Sequence, residues 1–271
     1  METEDANVPL PSFQRTFELV QRLPDGKGVG TDGISGEIIK AGGHILANSY
    51  WRLCCHAWKK CYVPLQWRGG RLCELFKKGD SLECDNHRGL LVSDHLSKLF
   101  VHLIDDHVEP HYDEHMPTTQ CGATKLRGTD IANHFVRTTL DLAALRGLSV
   151  AVLYVDLTKA YDTTVREQMM GMPQGFVGCP FDYLRSIGVH DKAAKNIVDA
   201  LSQDGPVLQQ VGVHEHIVGL VRSLHTKSWF KFGASPKLIV AKKVVVRDAG
   251  SGKVLQFQLR CHTPRGEKQV A

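Results

Sequence analysis

The sequence predicts an α+β fold, and three observations carry that prediction. Leu96, Leu99, Phe100, Leu103 and Ile104 follow Ser93 at i, i+3, i+4, i+7 and i+8 spacing, the signature of one apolar helical face. The stretch Arg71 to Lys77, between Gly70 and a Gly79-Asp80 turn, reads as a strand. Val150 to Val155 is a continuous apolar run, which suits a strand buried on both faces.

The elements follow in order. Residues 10–22 form a short amphipathic pattern, and "LPDGKGVGTDGISG" after them is a glycine-rich loop. A helical stretch runs from Ile34 towards Tyr62, interrupted at Gly42-Gly43 and stopped by Pro64. The strand Arg71–Lys77 comes next, then a helix capped by Ser93. Another helix covers Thr129 to Arg146 and ends at Gly147. The strand Ser149–Val155 follows and terminates in Asp156. A short helix starts after Thr163-Thr164. Helices are expected at 190–203 and 215–226, "KLIVAKKVVVRD" has strand character, and the tail after about Lys243 is expected to lack order.

Composition sets the outer bounds. The chain has 271 residues, 42% apolar and 23% charged, enough for one large domain or two small ones. No apolar run reaches the ~20 residues that span a bilayer. The opening "METEDANVPLPSFQ" is acidic and polar, unlike a secretory signal. The expectation is an intracellular protein, in nucleus or cytoplasm, with no membrane partner. A net charge of +4 and a pI near 8.6 permit a nucleic-acid partner without demanding one. The eight cysteines are scattered, with no C-x-x-C pair, and are expected to be reduced and packed as small apolar residues.

Three local patterns invite a functional reading and are better explained otherwise. "GVGTDG", Gly28 to Gly33, matches a dinucleotide-binding fingerprint, but no apolar strand precedes it, so a plain turn is expected. Glu215 between His214 and His216 suggests a metal. Residues two apart on a helix do not face each other, and a solvated helix start fits better. Cys54, Cys55, His56 and Cys61 lack zinc-ligand spacing and are expected in the core.

Asp156 is the informative residue. A carboxylate at the end of an apolar strand is costly unless it is paired or binds a cation. Mg2+ takes one or two carboxylates plus substrate phosphates, as in polymerase sites. The alternative is that Asp156 caps the following turn, and on this segment alone both readings stand.

The surrounding residues carry a resemblance. "VAVLYVDLTKAYDTTVRE" resembles the first catalytic motif of LINE-type (non-LTR) retrotransposon reverse transcriptases: an apolar strand, Asp156, then Lys159, Ala160, Tyr161 and Asp162. Upstream, "GVGTDGISGEIIKAGG" is similar to the family's opening segment. "WRGGRLCELFKKGDSLECDNHRGLLVSDHLSKLF" is similar to its fingers segment, with His87 where tyrosine is common. "QCGATKLRGTDIANHFVR" is similar to the next segment, with Ala123 replacing an aromatic. The four segments stand in family order over about 28–167.

The resemblance implies a partial right-hand polymerase fold: N-terminal helix and linker over 1–27, fingers and incomplete palm over 28–243, and an aberrant tail over 244–271. It implies that Asp156 and the Leu157 carbonyl bind catalytic Mg2+, that Tyr161 gates against a 2′-hydroxyl, and that Arg88 clamps the triphosphate. Lys77 or Lys78 would add a second cation, and a guanidinium fork suits phosphate oxygens. Asp162 and Lys159 would support the loop. The implied partners are an RNA template, a DNA primer and a deoxynucleoside triphosphate.

The resemblance then stops. Two further catalytic carboxylates would arrive as an adjacent Asp pair, and no two acidic residues are adjacent after Asp162. The family's Gln-Gly motif is expected near residue 250. The Gln174-Gly175 pair stands only 18 residues after Asp156, which is too soon. Ser251 to Val254 can be encoded so that a shifted frame reads Arg-Gln-Gly, so a frameshift or misjoined exon would account for the break. The expectation is a reverse-transcriptase domain truncated before the Asp-Asp motif and inactive alone, or active only if a second chain supplies that pair. The alternative is a non-catalytic RNA-binding or scaffold protein that retains the fingers fold.

Overall fold

The computed structural model describes residues 8–80, 86–122, 124, 126–157, 164–232, 243–247 and 254–258. The architecture is α+β, as the sequence predicts. Helices α1 (Phe13–Gln21), α2 (Gly36–Ala41) and α3 (Gly43–Lys59) lead through a 3-10 turn (Leu65–Arg68) into strands β1 (Gly69–Phe76) and β2 (His87–Val92). Helices α4 (His95–His115) and α5 (Thr129–Leu145) follow. Then come the short α6 (Arg166–Met170) and α7 (Pro180–Ser186), α8 (Asp191–Gln203), α9 (Val207–Gln210) and α10 (Glu215–His225). Strands β3 (Trp229–Phe232), β4 (Lys243–Arg247) and β5 (Val254–Gln258) close the described chain.

The main core lies among α1, α3, α4 and α10. Val20, Tyr50, Cys54, Trp58, Leu99, Phe100, Leu103, Ile104, Ile217 and Leu220 are all buried in it. These positions recur at three- and four-residue spacing on their helices, so each helix offers one stripe to a common centre. Each fully buried side chain of this size contributes ~1.5–3 kcal/mol. Trp58 meets the Phe100 ring edge-on at 6.2 Å and lies beside the rings of His107 at 5.3 Å and His216 at 6.3 Å. Local signals fix the entries: Ser12 accepts from the Arg15 N–H at 3.1 Å to cap α1, and Ser35 caps α2 through the Ile38 N–H. A smaller cluster of Leu184, Ala194 and Ile197 joins α7 to α8.

The sheet has three strands in the order β2-β1-β3. The β1–β2 pair is antiparallel, with Arg71 opposite Val92 and Phe76 opposite His87. The β1–β3 pair is parallel, with Gly69 beside Trp229. Glycine is required at 69, because a Cβ there would collide with the Trp229 carbonyl and indole. Beside this junction, the buried Arg68 guanidinium donates to the Val63 carbonyl through Nε at 2.7 Å and to the Thr226 carbonyl at 3.0 Å. It also lies 4.3 Å from the centre of the Tyr62 ring.

Several expectations are corrected. The segment from Ser149 to Asp156 is not a strand: residues 149–157 have no regular structure, and Leu153, Tyr154 and Val155 are 86%, 85% and 78% exposed. The sheet therefore does not include it. An apolar run becomes a strand only when a neighbouring edge takes up its backbone hydrogen bonds, and neither β2 nor β3 pairs with it. Helix α5 forms where expected, yet Ala143 is its only buried residue. Helix α4 is capped at Asp94, not Ser93, and the Asp94 side chain makes no capping bond. Strand β4 falls in the run read as having strand character, and it pairs antiparallel with β5, Lys243 opposite Gln258, in a tail expected to lack order. Strands β2, β3 and β5 and helices α7 and α9 were not anticipated at all.

Candidate functional site

The fingers-like segment folds into a hairpin whose root is buried and whose far end is exposed. Along β1 burial falls from Gly69 and Gly70 through Arg71–Cys73 to exposed Glu74–Phe76. The pairing continues one step past the strand, since the Lys77 N–H donates to the Asn86 carbonyl at 2.8 Å. The Asn86 amide in turn donates to the Asp80 carbonyl at 2.8 Å.

Side chains alternate across a strand, and directly opposed residues share a face. Leu75 opposes Arg88, and Lys77 is two residues on from Leu75. Lys77 and Arg88 therefore stand on the same face, near the hairpin end. Lys78, Lys77 and Arg88 are all exposed. Nearer the root, Arg71 shares that face, and its guanidinium reaches the Val29 carbonyl at 3.3 Å. The opposite face carries Glu74 and His87, the latter 5.4 Å from the Phe76 ring. The hairpin thus puts Lys77 and Arg88 on one face, with Arg71 nearer the root, an arrangement that can take phosphate oxygens.

The remaining sequence-predicted residues are not gathered here. Asp156 and Leu157 lie in the irregular, exposed segment, and among the described residues Asp156 makes no ion pair with Lys77, Lys78 or Arg88. Lys159, Tyr161 and Asp162 lie outside the described residues, as does Ala123. Among the described residues no group of three or more His, Cys, Asp or Glu is placed to hold a metal. A single exposed carboxylate leaves Mg2+ holding most of its own waters. The described residues therefore do not fit a two-ion centre.

The Gly28–Gly33 loop is a fixed clasp and not a loose turn. The buried Asp94 carboxylate accepts the Thr31 N–H at 2.6 Å, the Thr31 hydroxyl at 3.0 Å and the Asp32 N–H at 3.3 Å. Gln66 approaches its other oxygen at 3.4 Å. A Cβ at Gly30 would collide with Asp94, so the glycine permits the close approach. The loop is tied to the head of α4 and, through Arg71, to β1, and this fixes the hairpin's root. The signal in the sequence was Asp94 itself, a carboxylate at a helix start beside an apolar run.

Of Cys54, Cys55, His56 and Cys61, expected in the core, only Cys54 is buried; Cys55 and Cys61 are half-buried and His56 is exposed. Cys54, Cys55, Cys61, Cys73, Cys121 and Cys179 are free. Burial pushes the Cys54 thiol up to about 12. His214 does start α10, its ring accepting the His216 N–H at 3.2 Å. His214 and Glu215 are exposed as expected of a solvated helix start, whereas His216 is half-buried. Its Nε2 is buried without a partner, and desolvation lowers its pKa. His107 is lowered for the same reason.

No helix among the described residues is long and apolar enough to cross a membrane. Compared with models of known families, with curated proteins and with solved structures, the chain matches none.

Proposed function

We propose that the chain is the fingers and part of the palm of a LINE-type retrotransposon reverse transcriptase, interrupted before its Asp-Asp motif and inactive alone. The observation that carries this reading is the hairpin: the segment resembling the family's fingers places Lys77 and Arg88 together on one exposed face. A triphosphate is the ligand such a face suits, with Arg88 as the fork and Lys77 or Lys78 as a point charge. Asp156 would contribute one Mg2+ ligand in an assembled palm. RNA template, DNA primer and deoxynucleotide are the partners this reading assigns.

The test has two parts. Binding of a fluorescent deoxynucleoside triphosphate should weaken about tenfold or more in Arg88→Ala, equivalent to ~1.4 kcal/mol. Unchanged binding in that variant would remove the nucleotide site. Primer extension on an RNA template with Mg2+ should fail for wild type and Asp156→Ala alike. Extension by wild type alone would show that the missing carboxylates are supplied and that the chain is a working polymerase.

The exposure of Asp156 in an unpaired segment favours a second reading, a non-catalytic RNA-binding or scaffold protein with a fingers-like fold. RNA affinity that falls with salt and ignores both nucleotide and Mg2+ would support it.

A further inference from the structure

From Ile38 to Cys73 the chain carries no acidic residue, yet it carries Lys40, Arg52, Lys59, Lys60, Arg68 and Arg71. Helix α3 lies inside this stretch and sorts it. Its inner stripe, Ala47, Tyr50, Cys54, Ala57 and Trp58, is buried in the main core. Its outer side exposes Arg52, His56, Lys59 and Lys60. These stand at i, i+4, i+7 and i+8, one continuous face spanning ~12 Å. Among the described residues none of the three cations Arg52, Lys59 and Lys60 is in an ion pair.

Two clefts flank the stripe and share His56. One, about 330 Å³, is lined by Trp51, Arg52, Cys55, His56 and Lys59. The other, about 480 Å³, is lined by Leu53, His56, Ala57, Lys60, Tyr62 and Pro64. Tyr62 is 52% exposed, and the Arg68 guanidinium backs its ring at 4.3 Å. One face of the ring is thus backed by a guanidinium, beside an apolar-floored cleft and a row of cations.

We propose that the outer face of α3 binds single-stranded nucleic acid, with a base stacked at Tyr62 and the backbone phosphates following Lys60, Lys59 and Arg52. Charge complementarity requires a polyanion, and the aromatic platform selects among polyanions. Each base presents a flat π-face, and stacking on an aromatic side chain is worth ~1–3 kcal/mol. An acidic peptide would use the cations and leave Tyr62 without a role. This face is separate from the hairpin and does not rest on the polymerase reading.

The experiment is fluorescence anisotropy of the full chain with a labelled oligouridylate of about 12 nucleotides, titrated over a range of KCl without Mg2+ or nucleotide. Oligodeoxythymidylate and poly-glutamate serve as competitors. The variant Arg52→Gln/Lys59→Gln/Lys60→Gln should lose at least ~10-fold in affinity and reduce the log–log salt slope by about 2. Tyr62→Ala should lose ~5- to 150-fold, and Tyr62→Phe should bind like wild type. Glutamine keeps helix propensity on an exposed face, and thermal melts of each variant separate lost binding from lost folding. Wild-type affinity in the triple variant overturns the proposal. So does loss confined to Lys77→Ala/Arg88→Ala, which would support the hairpin instead. Displacement by poly-glutamate as readily, charge for charge, as by the oligonucleotides overturns it in favour of an acidic protein partner.

Discussion

Two apolar segments of this chain meet opposite fates. Helix α3 and the run from Val150 to Val155 are both rich in large apolar residues, yet Trp58 is 1% exposed and Tyr154 85%. The helix satisfies its own backbone and needs only a face to pack, which α1, α4 and α10 provide. The apolar run needs an edge strand as well as a face, and neither edge of the three-stranded sheet, β2 or β3, pairs with it. Helix α5 shows the intermediate case: its backbone is satisfied, but Ile131, Phe135 and Leu142 remain exposed. Secondary structure here is stabilised by what surrounds it, and the two halves of the molecule differ mainly in how much surrounds them.

The largest effect should come from breaking the packed side. Trp58→Ala should cost ~3–5 kcal/mol in urea unfolding, because the cavity left among Phe100, His107 and His216 cannot collapse without moving three helices. Asp94→Ala should cost ~1–3 kcal/mol, since the Thr31 and Asp32 N–H groups lose their acceptor. On the other side, Tyr154→Ala should stay within ~0.5 kcal/mol. A large loss there would mean that the segment is covered in solution, and the contrast would fail.

Acidity should sharpen the contrast, because two depressed histidines belong to the packed side. Desolvation holds His107 and His216 below their ordinary 6.5 in the folded state. The unfolded chain then binds protons first, so their contribution is complete above pH 6.5 and lost as pH falls through the depressed values. Thermal melts should show Tm declining below that point, and His107→Gln/His216→Gln should flatten the decline. A further, smaller loss should follow at lower pH. The Gly26 N–H holds the Glu37 carboxyl down at about 2 from 4.5, so its contribution is present above 4.5 and fades towards 2. A small effect should come from the Arg15–Asp106 pair, a two-bond contact at 2.6 and 2.7 Å that is 35% exposed on each side. Arg15→Gln should cost no more than ~1 kcal/mol and less at high salt.

Periodicity made the helices legible. Leu96 to Ile104 announced α4, and the Gly42-Gly43 break between α2 and α3 could be read from glycine chemistry. The strand at 71–77 was legible from composition and its turn. Its partners were not, because β2 contains Gly89 and β3 is only four residues long. Parallel pairing across the whole chain leaves no local trace. In the candidate site, Lys77, Lys78 and Arg88 became meaningful only in family context. The common face of Lys77 and Arg88 needed the register, which no single strand reveals. Asp94 was hidden behind an ordinary capping assignment to Ser93. The Val150–Val155 run misled because its pattern reports what the segment could bury, and burial depends on a neighbour that a local pattern does not specify.

The reach of Arg68 to Thr226 bears on how the molecule is made. Its guanidinium reaches a carbonyl 158 residues further along the chain, and β1 meets β3 directly beyond it. Closing a loop of that length costs about 2 kcal/mol more than one a tenth as long. On a ribosome, α1, α3 and α4 must wait, with their apolar stripes uncovered, until α10 emerges and supplies Ile217, Val218 and Leu220. Everything between α4 and α10 is carried as a passenger during that interval. Nascent chains halted before residue 215 should be sensitive to protease throughout. Chains released after residue 232 should be the first to acquire resistance in the N-terminal helices.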